Sequence, residues 1–141
     1  MAVTTRFLVD TSVVARMDKP DVAQRLDPLI RRGLVSLCDV VILEIGHWAT
    51  SIENYDQLRE DFSSLFTWVP LPDDVFRRVQ KLQRSLVQIG AHRSVKIPDL
   101  CIAATAAMHD LTVLHYDHDF ELVAAAAGVR QEWVVKRGSI S

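Results

Sequence analysis

Phe7-Leu8-Val9-Asp10-Thr11-Ser12 carries three apolar residues straight into an aspartate and then into two small hydroxyl residues. A short apolar run bounded so closely reads as a buried strand of a parallel sheet, with Asp10 where the chain leaves it. In open α/β sheets, ligands lie outside the carboxyl ends of the strands, so an acid placed there faces a site. The competing reading makes Asp10 the cap of a helix starting near Val13, a position where Asp and Ser are common. Carboxylates later in the chain favour the first reading if they reach the same spot.

The rest of the chain alternates helix and strand patterns. Val22, Leu26, Leu29 and Ile30 share a helical face between Asp21 and a stop at Gly33, and Pro28 is expected to kink or split that helix. Leu34 to Cys38 reads as a second strand, and Asp39 opens a helix expected to run through Ile52. A further amphipathic helix, Asn54 to Phe66, turns Leu58, Phe62, Leu65 and Phe66 inward. After the extended Trp68–Leu71 comes a long helix to about Ile89, with Val75, Val79, Leu82, Leu86 and Ile89 as its core stripe. Its other side carries Arg77, Arg78, Lys81 and Arg84, either a solvated face or a phosphate-contacting one. Pro98 and Asp99 open a helix that is apolar nearly all round to Met108 and is therefore buried against the sheet. Thr112 to Tyr116 is a strand ending, like the first, in an acid, Asp117. A helix to Ala127, a stop at Gly128 and a strand Glu132–Val135 follow, and the tail Lys136–Ser141 reads as frayed. This order implies an α/β fold with a mostly parallel central sheet of four to five strands and helices on both faces.

With 141 residues, 49% hydrophobic and 24% charged, the chain reads as one domain with a real core. No apolar leader stands at Met1–Arg6 and no run approaches a membrane span, so a cytoplasmic protein is expected. Cys38 and Cys101 sit in apolar contexts, as reduced core residues do, and are too few for a zinc site. The net charge of −2 speaks mildly against a generic nucleic-acid coat. If metal neutralised four of the 18 acids, 14 would remain against 16 basic residues, so the balance leaves nucleic acid open.

Four carboxylates stand out. Asp10 and Asp117 leave the ends of strands, and Asp99 sits in the first turn of a buried helix, where the helix dipole alone is a sufficient reason for an acid. Glu44 shares the i, i+4, i+8 face of Val40 and Trp48, so it needs a partner, either a structural arginine or a metal ion. Gathered at one sheet edge, the four would repel and their pKa values would rise unless a hard cation joined them. All-oxygen ligands without a Cys/His cluster favour Mg²⁺ or Mn²⁺, the ions of phosphodiester hydrolysis.

Leu-Val-Asp10-Thr-Ser, Glu44 in a mid-chain helix, Ile-Pro-Asp99-Leu-Cys-Ile-Ala-Ala-Thr-Ala and Leu-His-Tyr-Asp117-His-Asp-Phe together resemble a PIN domain. More narrowly, they resemble the VapC-type toxins of prokaryotic toxin–antitoxin pairs, over roughly residues 6–135. The resemblance implies a single PIN domain acting as a Mg²⁺- or Mn²⁺-dependent endoribonuclease, dimeric and silenced by a VapB-type antitoxin. It makes Asp10 and Asp99 the principal metal ligands, completed by Glu44 and Asp117 directly or through water. Ser12 matches a small polar residue the family often keeps beside the first acid. His115 departs from the Thr or Ser often found two residues before the fourth acid, and is either a substrate contact or a plain strand side chain. Asp119 competes with Asp117 for the fourth role, and Asp117 is preferred because it falls at the strand end. His92, Arg93 and Lys96 beside Asp99 are candidate RNA contacts, while His47 and His109 read as ordinary helix residues. A phosphoacceptor receiver would need a second acid after the first strand and a late lysine, and a haloacid-type phosphatase an Asp in place of Ser12. The remaining rival is a PIN fold that binds RNA or an antitoxin with little cutting.

Overall fold

The computed structural model describes residues 5–141, so the reading of the first residues as lacking a leader falls largely outside it. Five short strands form one sheet: β1 (Phe7–Val9), β2 (Val35–Leu37), β3 (Thr67–Trp68), β4 (Thr112–His115) and β5 (Gln131–Trp133). All four pairings are parallel, and the order across the sheet is β3-β2-β1-β4-β5. Phe7, Leu8 and Val9 are at most 1% exposed, as a strand covered on both faces requires.

The helices are α1 (Thr11–Val14), α2 (Pro20–Arg31), α3 (Asp39–Gly46), α4 (Ile52–Leu65), α5 (Val75–Gln88), α6 (Ile97–Met108) and α7 (Asp119–Ala127). From β1 the chain steps to β2 and β3 on one side, then crosses back to β4 and β5 on the other. Right-handed connections therefore put α2 on one face and α5–α7 on the opposite one. The reversal falls between β1 and β4, and the carboxyl ends of those two strands frame the crevice where such sheets bind ligands.

Helix α6 is the central pillar of its layer: Asp99 to Ala106 are all buried, with Ala103, Ala104 and Ala106 letting its backbone approach the sheet. Pro98 is its second residue, where a missing N–H costs nothing. Gly128 takes a left-handed φ of 70° and ends α7. Cys38 and Cys101 are free and buried, and no helix of the described residues is long and apolar enough to cross a membrane.

Several expectations are corrected. The helix opened by Asp39 stops at Gly46 instead of reaching Ile52. A Cβ at Gly46 would come 3.0 Å from the Tyr55 ring, so α4 packs onto the end of α3. Ser51 then caps α4 by accepting the Asn54 N–H at 3.0 Å. As a result Glu44 lies beside, not within, the buried face of α3, which consists of Val41, Ile42 and Ile45, and Trp48 is exposed. Leu65 and Ile89 are exposed at helix ends, where the apolar period outlasts the packed surface. Pro28 neither splits α2 nor ends it at once: it sits in the last turn, and both it and Gln24, whose carbonyl loses its helical donor, are exposed. The last strand begins one residue earlier than expected, at Gln131, and ends at Trp133.

The tail is held down instead of frayed. Tyr116 Oη donates to Ile140 O at 2.8 Å and accepts from the Gly138 N–H at 3.0 Å. Arg16 lays its guanidinium over the Tyr116 ring and donates through Nε to Ser141 O.

Candidate active site

The crevice is built from the two strand ends. The Asp10 N–H donates to Leu114 O at 2.9 Å, extending the β1–β4 ladder one residue past β1. Two residues on, Ser12 Oγ accepts the Tyr116 N–H at 2.9 Å and ties the two departing loops together. Asp10 is thus both things the sequence allows: it caps α1, its Oδ2 accepting the Ser12 N–H at 3.0 Å, and it stands at the strand end. Its Oδ1 is buried and has no hydrogen-bond partner among the described residues.

Asp99 enters from the first turn of α6, 6% exposed, with Oδ2 likewise buried and unpartnered. Asp117 follows β4, and its Oδ1 accepts the Asp119 N–H at 2.9 Å. One carboxylate oxygen from each of Asp10, Asp99 and Asp117 lies within 4.8 Å of the others. Glu44 borders this group from α3, half-buried, and accepts the Thr11 hydroxyl proton at 2.7 Å. Of the two partners expected for Glu44, no arginine pairs with it among the described residues, and one of its oxygens takes the Thr11 hydroxyl.

Burial pushes Asp99 up to about 8, with the charges of Asp10, Asp117 and Glu44 adding to it. Burial likewise raises Asp10 to about 6, against the lowering effect of hydrogen bonds from Ser12. Two buried oxygens without a partner, on neighbouring acids held above their normal range, are costly in a protein left to itself. A hard divalent cation relieves both costs, and a donor set made only of carboxylate oxygens suits Mg²⁺ or Mn²⁺.

The other predicted residues divide in two. Asp119 is half-buried and outside the three-acid group; its carboxyl is raised by burial and by Asp117. Arg93 and Lys96 are exposed on the loop before α6, where the Lys96 charge lowers Asp119. His92 is half-buried with Nδ1 enclosed and unpartnered among the described residues. His115 is fully buried, so of its two readings the structure places it inside, between the Phe120 and Trp133 rings. Ser12 spends its oxygen on the Tyr116 amide. Arg77, Arg78, Lys81 and Arg84 are all exposed along α5. His47 and His109 cap α3 and α6, as ordinary helix residues do.

Thr11 was not singled out by the sequence, although a hydroxyl directly after a strand-end acid is the signal that could have found it. Because its bond to Glu44 fixes one carboxylate rotamer, Thr11→Val should lower turnover about tenfold while leaving the melting temperature nearly unchanged. Steady-state kinetics beside a thermal melt checks this, and a loss that tracks stability would remove the orienting role.

Comparison with known proteins adds lineage to this geometry. The PIN domain family model matches residues 7–126. Ribonuclease VapC21 of Mycobacterium tuberculosis (strain ATCC 25618 / H37Rv) is 44% identical over 136 residues, 96% of this chain and 99% of that protein. Among solved structures, DNA-bound VapBC from Salmonella typhimurium superposes with a TM-score of 0.75 at 15% identity, over 94% of this chain and 100% of that one. VapBC-5 of Mycobacterium tuberculosis, described as a member of the VapBC family of toxin-antitoxin systems, superposes at 0.58 with 26% identity, over 92% and 97%. A strand-end acid on each side of the sheet's switch point, a third on the buried helix and a family match across most of the chain agree: this chain belongs to the PIN-domain family.

Proposed function

We propose that this chain is a metal-dependent endoribonuclease, the toxin of a VapBC-type toxin–antitoxin pair, whose catalytic acids are Asp10, Glu44, Asp99 and Asp117. The observation that carries the reading is the pair of buried, unpartnered oxygens, Asp10 Oδ1 and Asp99 Oδ2, gathered with Asp117 at the switch point. Relatives named Ribonuclease VapC support RNA as the substrate, and the VapBC structures support an antitoxin partner.

Asp10 and Asp99 would be the principal ligands of a Mg²⁺ or Mn²⁺ ion, Asp10 fixed by the β1–β4 ladder and Asp99 by α6. A cation held there would supply Lewis acidity and make bound water more acidic. Glu44, half exposed and oriented by Thr11, or Asp117 orients the attacking water and takes its proton. The water oxygen bonds to phosphorus as the P–O3′ bond breaks; the departing oxygen gains a proton, leaving a 3′-hydroxyl and a 5′-phosphate. Arg93 and Lys96, with His92, hold the RNA backbone near the acids.

The whole chain acts as one domain, with its core over residues 6–135, and works in the cytoplasm as a homodimer. A mostly apolar groove of about 400 Å³ lined by Val14, Met17, Leu58, Phe62 and Leu65, and also by Asp61 and Ser64, receives a segment of the antitoxin. The exposure of Leu65 at 42% leaves that groove an apolar rim to cover.

Incubating purified protein with a total small-RNA pool in Mg²⁺, in Mn²⁺ and in EDTA tests this reading. Discrete fragments bearing 5′-phosphates should form with either metal and disappear in EDTA. Equal cleavage in EDTA would overturn the metal dependence. No cleavage in any condition would favour the PIN-fold binder without appreciable cutting.

A further inference from the structure

His115 has no place in the chemistry above, yet it is the most enclosed polar side chain near the acids, fully buried on the last residue of β4. Its ring lies with centroids 5.1 Å from Phe120 and 4.9 Å from Trp133, so it has little room to turn. Nδ1 accepts the backbone N–H of Asp117 at 3.1 Å. Since Nδ1 is the acceptor, the proton sits on Nε2, which donates to Gln131 Oε1 at 2.6 Å. Both ring nitrogens are thus used, and the chain Gln131–His115–Asp117 N–H runs from the edge strand β5 to the acid.

We infer that His115 is a positioning residue for Asp117: locked by Gln131, Phe120 and Trp133, it fixes the Asp117 backbone so that its carboxylate meets Asp10 and Asp99. The inference rests on the proposed metal site. The two peptide units that flank Tyr116 are each held once: the Tyr116 N–H by Ser12 from the loop after β1, and the Asp117 N–H by His115 from β4. The Asp117 side chain keeps two rotations, about Cα–Cβ and Cβ–Cγ, and the Asp119 N–H on Oδ1 restrains both. A buried imidazole must satisfy both nitrogens somewhere; here the partner of Nδ1 is the backbone of the acid itself. Outer hydrogen-bond partners of this kind orient ligands without touching the ion.

The test measures Mn²⁺ affinity of the intact protein from the free-ion paramagnetic resonance signal, with a thermal melt in EDTA beside each variant. His115→Leu keeps an apolar filling but removes the acceptor, and its Mn²⁺ affinity should fall about tenfold or more. His115→Asn puts Oδ1 where Nδ1 stood and should stay within about threefold of the parent, whatever its melting temperature. Gln131→Leu, at a half-exposed edge position, frees the ring and should weaken Mn²⁺ by about three- to tenfold with the melt unchanged. Affinity that follows the melting temperature across all three variants, or equal weakening in H115L and H115N, would overturn the inference. If H115L does not fold, Q131L decides: an affinity equal to that of the parent overturns it. Failure of the parent itself to bind Mn²⁺ more tightly than Asp99→Asn would instead overturn the metal site.

Discussion

Asp99→Asn should lower metal-dependent RNA cleavage by roughly 10³-fold or more, since several kcal/mol of transition-state charge stabilisation are lost with the ion's ligand. The side chain stays the same size, and the substitution replaces an acid whose charged form burial disfavours, so the protein should remain folded. Asp10→Asn should behave alike, because its Oδ1 is the matching unpartnered oxygen. The neighbours after β4 should separate. Asp117 contributes an oxygen to the three-acid group and Asp119 does not. Asp117→Asn should therefore cost about 10- to 100-fold, whereas Asp119→Asn should stay within about threefold. Single-turnover cleavage of one identified RNA substrate by the four proteins checks the ranking. An Asp99→Asn protein as active as the parent would remove the assignment, and a larger loss at Asp119 than at Asp117 would transfer the fourth role.

How much of this was legible in the sequence depends on the range of the forces involved. Strand β1 and the acid at its end were readable because an apolar run buried on both faces leaves a local signature, and so was α6, apolar all round behind Pro98 and Asp99. The alternation of elements was enough for a parallel sheet, and with it the place of Asp10 and Asp117. The end of α3 was not readable: Gly46 is required by the Tyr55 ring, which arrives from the next helix. Leu65 and Ile89 continue a helical period that is still intact in the sequence after the packed surface has ended. The Thr11–Glu44 bond spans 33 residues and the Tyr116–Ile140 bonds span 24, distances at which no local pattern announces a partner. His115 shows the limit most plainly. A short apolar strand tells that its side chains are covered, but not that both nitrogens of this one are used.

Without metal, the protein should lose stability as pH rises from about 6.5 to 8, by about 5 °C in melting temperature. Asp99, raised to about 8 by burial, keeps its proton when folded, whereas the unfolded chain releases it near 3.8. Throughout that interval the folded state binds more protons, so stability is full below 3.8 and is lost as pH climbs through 8. Asp10, raised to about 6, adds a loss of the same sign that is complete earlier. Burial lowers His115 from 6.5, which has the opposite sign: its contribution is present above 6.5 and lost as pH falls. The two trends oppose each other in acid, and above 6.5 the His115 contribution is complete, so there the difference between the parent and Asp99→Asn reads Asp99. A divalent cation binds the ionised carboxylates, and raising pH removes the protons it competes with. Mn²⁺ at about 100 times its dissociation constant should add roughly 2.7 kcal/mol and flatten or reverse the slope. Thermal melts of the parent and Asp99→Asn across this range, in EDTA and in Mn²⁺, decide the matter. In EDTA the parent should slope downward and the variant should be nearly level and more stable at pH 8. The same slope in both would show that the proton is held elsewhere, and a cation that raises neither melt would leave the two orphaned oxygens without the ligand their chemistry calls for.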